Sequence, residues 1–199
     1  MAKLYFRYGA MNSGKTTLLL QAAHNYEEQG MKVLIAKPSA DTKGDFNIVS
    51  RIGLERKVDF LITPEDNIYT MVKAIDEDIK CLFVDEAQFL QRKQVDELMQ
   101  IVIHLNIPVI CYGLRTDFQS NGFTGSTRLL ELAHTIEEMK TICKCGKKAM
   151  YNARKVNGEF VFDGEQIAID GKDEVTYEAL CPHCYYEKLQ EYKNLRKSL

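Results

Sequence analysis

The apolar positions of this chain fall into short dense runs, and the stretches between them repeat at a helical period. Leu4-Tyr5-Phe6, Lys32-Val33-Leu34-Ile35-Ala36, Cys81-Leu82-Phe83-Val84 and Val109-Ile110-Cys111-Tyr112 lack polar alternation, which is the pattern of parallel strands buried on both faces. Thr17-Leu18-Leu19-Leu20-Gln21-Ala22-Ala23 reads as a helix after the first strand. Ile68, Met71, Val72 and Ile75 space a second helix within residues 64–78, and a third is predicted over about residues 93–105. Strand and helix alternating on this scale imply an α/β fold with a mainly parallel sheet covered by helices on both faces. Residues 39–57 turn polar around Gly44 and Gly53 and read as a long connection. Near Thr141 cysteines, glycines and short polar alternations replace this rhythm, so a domain over residues 1–140 and a smaller one over residues 141–199 are expected. Residues 187–199 are charged and read as a frayed helix or a disordered tail.

Composition narrows the partners. Lys and Arg total 26 against 28 Asp and Glu, a formal charge of -2, so the broad basic field on which nonspecific nucleic-acid binding depends is missing. No run approaches the roughly 18 apolar residues of a membrane span, and Met1-Ala2-Lys3-Leu4-Tyr5-Phe6-Arg7 lacks the apolar centre of a signal peptide. A cytoplasmic protein with neither nucleic acid nor membrane as partner is expected. At 199 residues it buries about 70% of its unfolded surface without a covalent staple, so six cysteines in that compartment read as thiols or metal ligands.

The chemistry begins where the first strand meets the first helix. Gly9-Ala10-Met11-Asn12-Ser13-Gly14-Lys15-Thr16 is the pattern G-x-x-x-x-G-K-T in the strand-turn-helix setting that a phosphate-binding loop requires. Its glycines let the backbone aim N–H groups inward, and the helix start adds unpaired donors and a positive dipole end. Lys15 would reach the β- and γ-phosphates, and the Thr16 hydroxyl would take one position on Mg²⁺. Asp85-Glu86 closes the apolar run at residues 81–84 and delivers two acids to the carboxyl end of the sheet, where ligands of parallel sheets collect. Asp85 is placed to meet the same Mg²⁺, and Glu86 to accept a proton from an attacking hydroxyl.

Cys143-x-Cys145 and Cys181-x-x-Cys184 form a second constellation. Four thiolates complete a closed, structural tetrahedral Zn²⁺ site, and the short first pair is feasible on an extended segment, where side chains two apart face one way. His183 is an alternative ligand, and four reduced thiols with no metal are the plain alternative. Cys81 and Cys111, inside apolar strands, read as small core residues.

The phosphate loop with Met11 inside it, Asp85-Glu86-Ala87-Gln88-Phe89, Tyr112-Gly113-Leu114-Arg115-Thr116-Asp117-Phe118 and the two cysteine pairs together resemble the type II thymidine kinases, the cellular and bacterial deoxythymidine kinases. The likeness spans residues 3 to about 186. It implies a P-loop NTPase domain of RecA-like form with a small zinc-ribbon and lasso-loop subdomain, and transfer of the γ-phosphoryl of ATP to the 5′-hydroxyl of deoxythymidine to give dTMP. By the resemblance Glu86 is the general base, Met11, Phe89, Leu114, Phe118 and Phe123 line the thymine pocket, Ile167 and Ile169 lie in the loop that holds thymine by main-chain groups, and Tyr177 lies near the deoxyribose. Asp41 matches an acid near the phosphates, and Lys43 stands where many members carry Arg. The resemblance further implies a homotetramer and feedback by dTTP. Arg115 reads either as a charge near the transferring group or as a surface arginine on a loop. A RecA-like ATPase acting on nucleic acid shares loop and sheet but calls for a basic, aromatic stripe, a GTPase switch calls for an N-K-x-D motif that the chain lacks, and a noncatalytic binding protein has no need of Lys15, Thr16, Asp85 and Glu86 together.

Overall fold

A computed structural model describes residues 1–41, 46–166 and 174–197. They fall into two compact units, one of Met1–Tyr8, Gly14–Arg115 and Phe123–Met139, the other of Gly9–Ser13, Thr116–Gly122 and Lys140–Leu199.

The first unit is built on six strands in the order β5-β2-β6-β7-β1-β8, where β1 is Leu4–Tyr8, β2 Lys32–Pro38, β5 Phe60–Ile62, β6 Ile79–Val84, β7 Val109–Gly113 and β8 Thr135–Glu138. Every neighbouring pair is parallel. Alternate residues of each strand feed two cores. Leu4, Leu34, Leu82, Val84 and Cys111 face α2 (Ile68–Lys73), α3 (Arg92–Gln100) and α4 (Thr124–Leu132), and Val33, Ile35, Cys81, Phe83 and Tyr112 face α1 (Lys15–Glu28). Both faces are covered, so the expected unbroken apolar runs are real strands, and Cys81 and Cys111 are core residues on opposite faces.

Several boundaries differ from the sequence expectation for local reasons. The helix expected within residues 64–78 is only α2, because Asn67 caps it by accepting from the Thr70 N–H at 2.8 Å, while Asp66 closes the preceding turn by accepting from the Thr63 N–H at 2.7 Å. The helix expected over residues 93–105 is α3, opened by a reciprocal Gln91–Gln94 cap and continued by a wider π turn, Ile101–Leu105. The polar connection contains a hairpin of β3 (Asn47–Val49) and β4 (Glu55–Lys57), closed by Ser50, whose Oγ accepts from the Leu54 N–H at 2.9 Å. Lys43 lies outside the described residues.

The second unit carries β9 (Thr141–Ile142) paired with β10 (Lys148–Ala149), and an antiparallel sheet of β11 (Tyr151–Val156) between β12 (Glu159–Val161) and β13 (Val175–Leu180). The chain then runs into α5 (Pro182–Lys197), so the charged tail is a helix as far as Lys197. It is held because Tyr185, Leu189 and Tyr192 pack on the Phe160 and Phe162 side of the unit, and because Tyr192 and Arg196 both bond Asp163. Charge made this stretch read as a frayed helix or a disordered tail, but one face of the helix carries Tyr185, Leu189 and Tyr192.

Arg154 locks this unit internally. Its buried guanidinium lies 3.7 Å from the Phe118 ring centroid, and it donates to the Tyr177 hydroxyl at 3.1 Å and to the Glu165 and Gln166 carbonyls at 2.8 and 3.0 Å. Arg154→Met removes three charge-assisted bonds and a stacked cation, and is expected to cost about 2–4 kcal/mol of stability, read as the shift in the urea unfolding midpoint. An unchanged midpoint would show that the side chain is not needed to hold β11 to its surroundings.

Candidate active site

In a parallel sheet all strand ends of one sense lie at one edge, and here the segments after β1, β6 and β7 carry the candidate residues. Gly14 caps α1 in the left-handed region at φ 77, a conformation that glycine adopts without penalty, and the first turn of α1 contains no acid to occupy its N–H groups. Lys15 and Thr16 follow directly. The Thr16 hydroxyl donates to Asp85 Oδ2 at 3.0 Å, so the hydroxyl and the carboxylate expected to share Mg²⁺ are neighbours. Burial pushes the Lys15 ammonium below its usual range, opposed by the charges of Glu86 and Asp85. Burial first and the Glu86 charge second push the Asp85 carboxyl up to about 7, against the Thr16 hydroxyl bond and the Glu86 N–H. Two crowded acids and a buried lysine at the edge of a sheet suit a hard cation and a polyphosphate, which would supply the missing charge of each sign.

Glu86 is held in the left-handed region at φ 48, where a non-glycine residue is strained by about 1–2 kcal/mol, and its N–H donates to Asp85 Oδ1 at 3.0 Å. Glu86 in this conformation caps a 3₁₀ turn, Ala87–Phe89, directly after the strand. Phe89, half-buried, meets Phe123 edge to face with ring centroids 5.7 Å apart, and Leu114 follows β7 with its carbonyl accepting from the Ser126 hydroxyl at 2.5 Å. Phe89 within the turn thus packs on Phe123, and the Leu114 N–H bonds Gln88 of the same turn, so three residues expected at the nucleoside lie close to Glu86. Arg115 stacks over the Tyr8 ring at 5.6 Å. Asp41 accepts from the buried Lys37 ammonium at 3.0 Å, a pairing not anticipated, since nothing in a strand sequence marks its lysine as wholly enclosed.

In the second unit the loop segment Gly9–Ser13 is tied to β11 and β9: the Met11 N–H donates to Asn152 Oδ1 at 2.7 Å, and the Thr141 hydroxyl donates to the Asn12 carbonyl at 3.3 Å. Phe118 is buried beneath Arg154 in a turn whose N–H groups of Gln119 and Asn121 donate to Asp117 Oδ1. Tyr177 lies on β13 with its hydroxyl on Arg154. Ile167 and Ile169 lie outside the described residues.

The four cysteines meet: Cys143, Cys145, Cys181 and Cys184 bring their sulfurs within 4.8 Å of one another, with Cys145 and Cys181 at 3.5 Å. An ion bonded to four thiolates at about 2.3 Å requires sulfur separations of about 3.8 Å, so this cluster fits a tetrahedral metal centre. One half differs from expectation. Cys143 and Cys145 sit on a turn, closed by the Gly146 N–H on the Cys143 carbonyl at 2.8 Å, and the short spacing works because the chain folds back between them. The other half is the start of α5, where Pro182 opens the helix. His183, exposed on that turn with Cys184 and Glu187 in reach, stands outside the four-sulfur set. The amides of neighbouring cysteines outweigh burial and lower the Cys143 thiol to about 7, while the thiols of Cys145 and Cys181 push Cys184 up to about 12.

Gln88, Asn152 and Arg154 are the site residues that sequence reasoning missed. Gln88 was visible only as one letter of the Asp-Glu-Ala-Gln-Phe phrase, and Asn152 and Arg154, two apart on β11, look like the wet face of a strand.

A parallel α/β sheet whose first helix opens on Gly14-Lys15-Thr16, with the Thr16 hydroxyl on Asp85 and Glu86 beside it, defines a nucleotide-binding phosphotransfer protein of the P-loop kind. The family model described as thymidine kinase matches residues 2–185, and the chain belongs to the thymidine kinase family. It is 46% identical over 188 residues to the thymidine kinase of Streptococcus pyogenes serotype M28, covering 94% of this chain and 98% of that protein. It is 44% identical over the same length and shares to the thymidine kinase of Streptococcus agalactiae serotype Ia. Among solved structures a DNA replication initiation factor matches 70% of this chain and 40% of its own at 19% identity with a TM-score of 0.42, too slight a likeness to bear on function. No helix among the described residues is long and apolar enough to cross a membrane.

Proposed function

We propose that this chain is an ATP-dependent thymidine kinase that transfers the γ-phosphoryl group to the 5′-hydroxyl of deoxythymidine. The observation that carries the reading is the trio of Thr16, Asp85 and Glu86, a hydroxyl and carboxylate for one cation with a second carboxylate beside them, in a chain of this family. Glu86 takes the proton of the 5′-hydroxyl as that oxygen attacks the γ-phosphorus, and the bond from phosphorus to the β,γ-bridging oxygen breaks. Thr16 and Asp85 would hold Mg²⁺, which neutralises phosphate charge when bound. Lys15 and the amides over residues 9–16 would bind the triphosphate, and no other covalent help is required. Phe89, Leu114 and Phe123 of the first unit, and Met11, Phe118, Ile167, Ile169 and Tyr177 of the second, are the residues assigned to the nucleoside. The cysteine cluster holds zinc in a structural role, and dTTP feedback and a homotetramer belong to the same reading.

Selectivity tests it. Burying the thymine methyl is worth about 0.8 kcal/mol, only several-fold over uracil. Cytosine presents a donor where thymine presents an acceptor, and an unpaired buried polar group costs about 1–3 kcal/mol per mismatch. In a radiolabelled panel with ATP and Mg²⁺, kcat/KM is expected to rank thymidine above deoxyuridine by several-fold and both far above deoxycytidine. Equal values for the three would remove the proposed pocket.

A further inference from the structure

Gln88 stands apart from the phosphate and metal residues, yet its side chain is 2% exposed and fully engaged. The Leu114 N–H donates to Gln88 Oε1 at 3.1 Å. A backbone N–H can only donate, so it fixes which end of the amide is oxygen, and the amide nitrogen is thereby aimed at Glu86, donating to Oε2 at 2.5 Å. The backbone around it is fitted to this arrangement. A Cβ at Gly113 would lie 2.7 Å from Gln88 Oε1, and one at Gly125 would lie 2.4 Å from the Ala87 carbonyl and 3.0 Å from that of Gln88, so β7 and α4 approach the 3₁₀ turn only because both positions lack side chains. The Ser126 hydroxyl, donating to the Leu114 carbonyl, ties the same peptide to α4.

Glu86 needs such a brace. Its backbone is strained, its neighbour is a second acid, and a Glu side chain with three rotatable bonds has no reason to keep one direction in a half-open site. Gln88 supplies a donor for the carboxylate while its other end is fixed to the segment that carries Leu114. We propose that Gln88 is a positioning residue that holds the Glu86 carboxylate in register with the nucleoside-facing segment at Leu114, so that base and acceptor share one frame. This rests on the reading of Glu86 as the general base.

The test is a double-substitution cycle read as kcat and KM separately. Gln88→Met, similar in length and without hydrogen bonds, is expected to lower kcat by about tenfold or more with KM for ATP within about twofold, since Lys15 and Thr16 are untouched. In the Glu86→Gln background the same change is expected to add less than about twofold, because the group it acts through is already gone. An equal factor in both backgrounds, or no loss of kcat in the single variant, overturns the proposal. Should Gln88→Met not fold, the side-chain amide resonance of Gln88 in the otherwise unaltered protein decides: it is expected to move on Glu86→Gln and to exchange slowly with solvent, and an unmoved, fast-exchanging signal overturns the proposal. Failure of the unsubstituted protein to phosphorylate thymidine would defeat the kinase reading instead, and leave the resonance measurement to judge the Gln88–Glu86 contact.

Discussion

Glu86→Gln is expected to lower kcat for thymidine phosphorylation by about 10²–10⁴-fold while ATP affinity stays close to that of the unsubstituted protein. The substitution keeps the length and shape of the side chain, so the turn and its neighbours can remain, but an amide cannot take a proton from the 5′-hydroxyl. ATP binding is expected to be spared because the groups proposed for the phosphates are elsewhere: Lys15 and Thr16 lie at the start of α1, and the Thr16–Asp85 bond does not involve position 86. Removing the charge also withdraws the second cause that raises Asp85, which favours its ionised, metal-binding form. Steady-state rates with labelled ATP, together with calorimetric ATP titration, separate the two effects. Turnover within tenfold of the starting protein would take the base role away from Glu86.

Cys181→Ser is expected to release the metal from the second unit and with it the order of that unit's small sheet. Cys181 is almost fully buried and lies in one apolar cluster with Cys143, Ala149, Phe162, Leu180 and Tyr185, and its carbonyl accepts from the Tyr185 N–H at 3.0 Å as α5 begins. Among the described residues the sheet has three strands, one of them three residues long, and such a unit needs a metal or a comparable staple to hold its shape. Zinc measured on the purified protein is expected at about one ion per chain and near zero in the variant. Hydrogen exchange is expected to rise steeply in β11 and β13, while the amides of β6 and β7, buried in the first unit's own core, stay protected. A protein that carries no zinc as purified, or a variant with unchanged exchange, would show that the four thiols are not a structural centre.

Most of the first unit was legible because burial on both faces writes itself into a strand as a continuous apolar run. The runs at residues 32–36, 81–84 and 109–112 gave this signal, and each lies in a central strand. β5 and β8 were not anticipated because edge strands are short and one flank faces water, so Thr135-Ile136-Glu137-Glu138 carries little pattern. The phosphate loop, Asp85, Glu86 and the cysteines were legible because the chemistry fixes residue type and spacing together. Their supports were not, since a buried polar group is marked only by partners distant in sequence. Arg154 becomes a core residue only through Phe118, Tyr177 and two carbonyls, and Gln88 only through Leu114 and Glu86. The turn at Cys143–Cys145 escaped for a simpler reason: a two-residue spacing suits an extended chain and a tight reversal equally.

The glycines at positions 113 and 125 set different freedoms for the side chains and for the main chain around them. Phe89, Leu114 and Phe123, the side chains assigned to the nucleoside under the proposed function, project from a backbone that is already fixed, and on that reading substrate preference varies with their size and shape. The pitch of that backbone has no such latitude, since even one added methyl at position 125 would collide with a carbonyl of the turn. Under the proposed function, redesign of this protein for other nucleosides has its variables in those three side chains, and its constants in two places where there is no side chain at all.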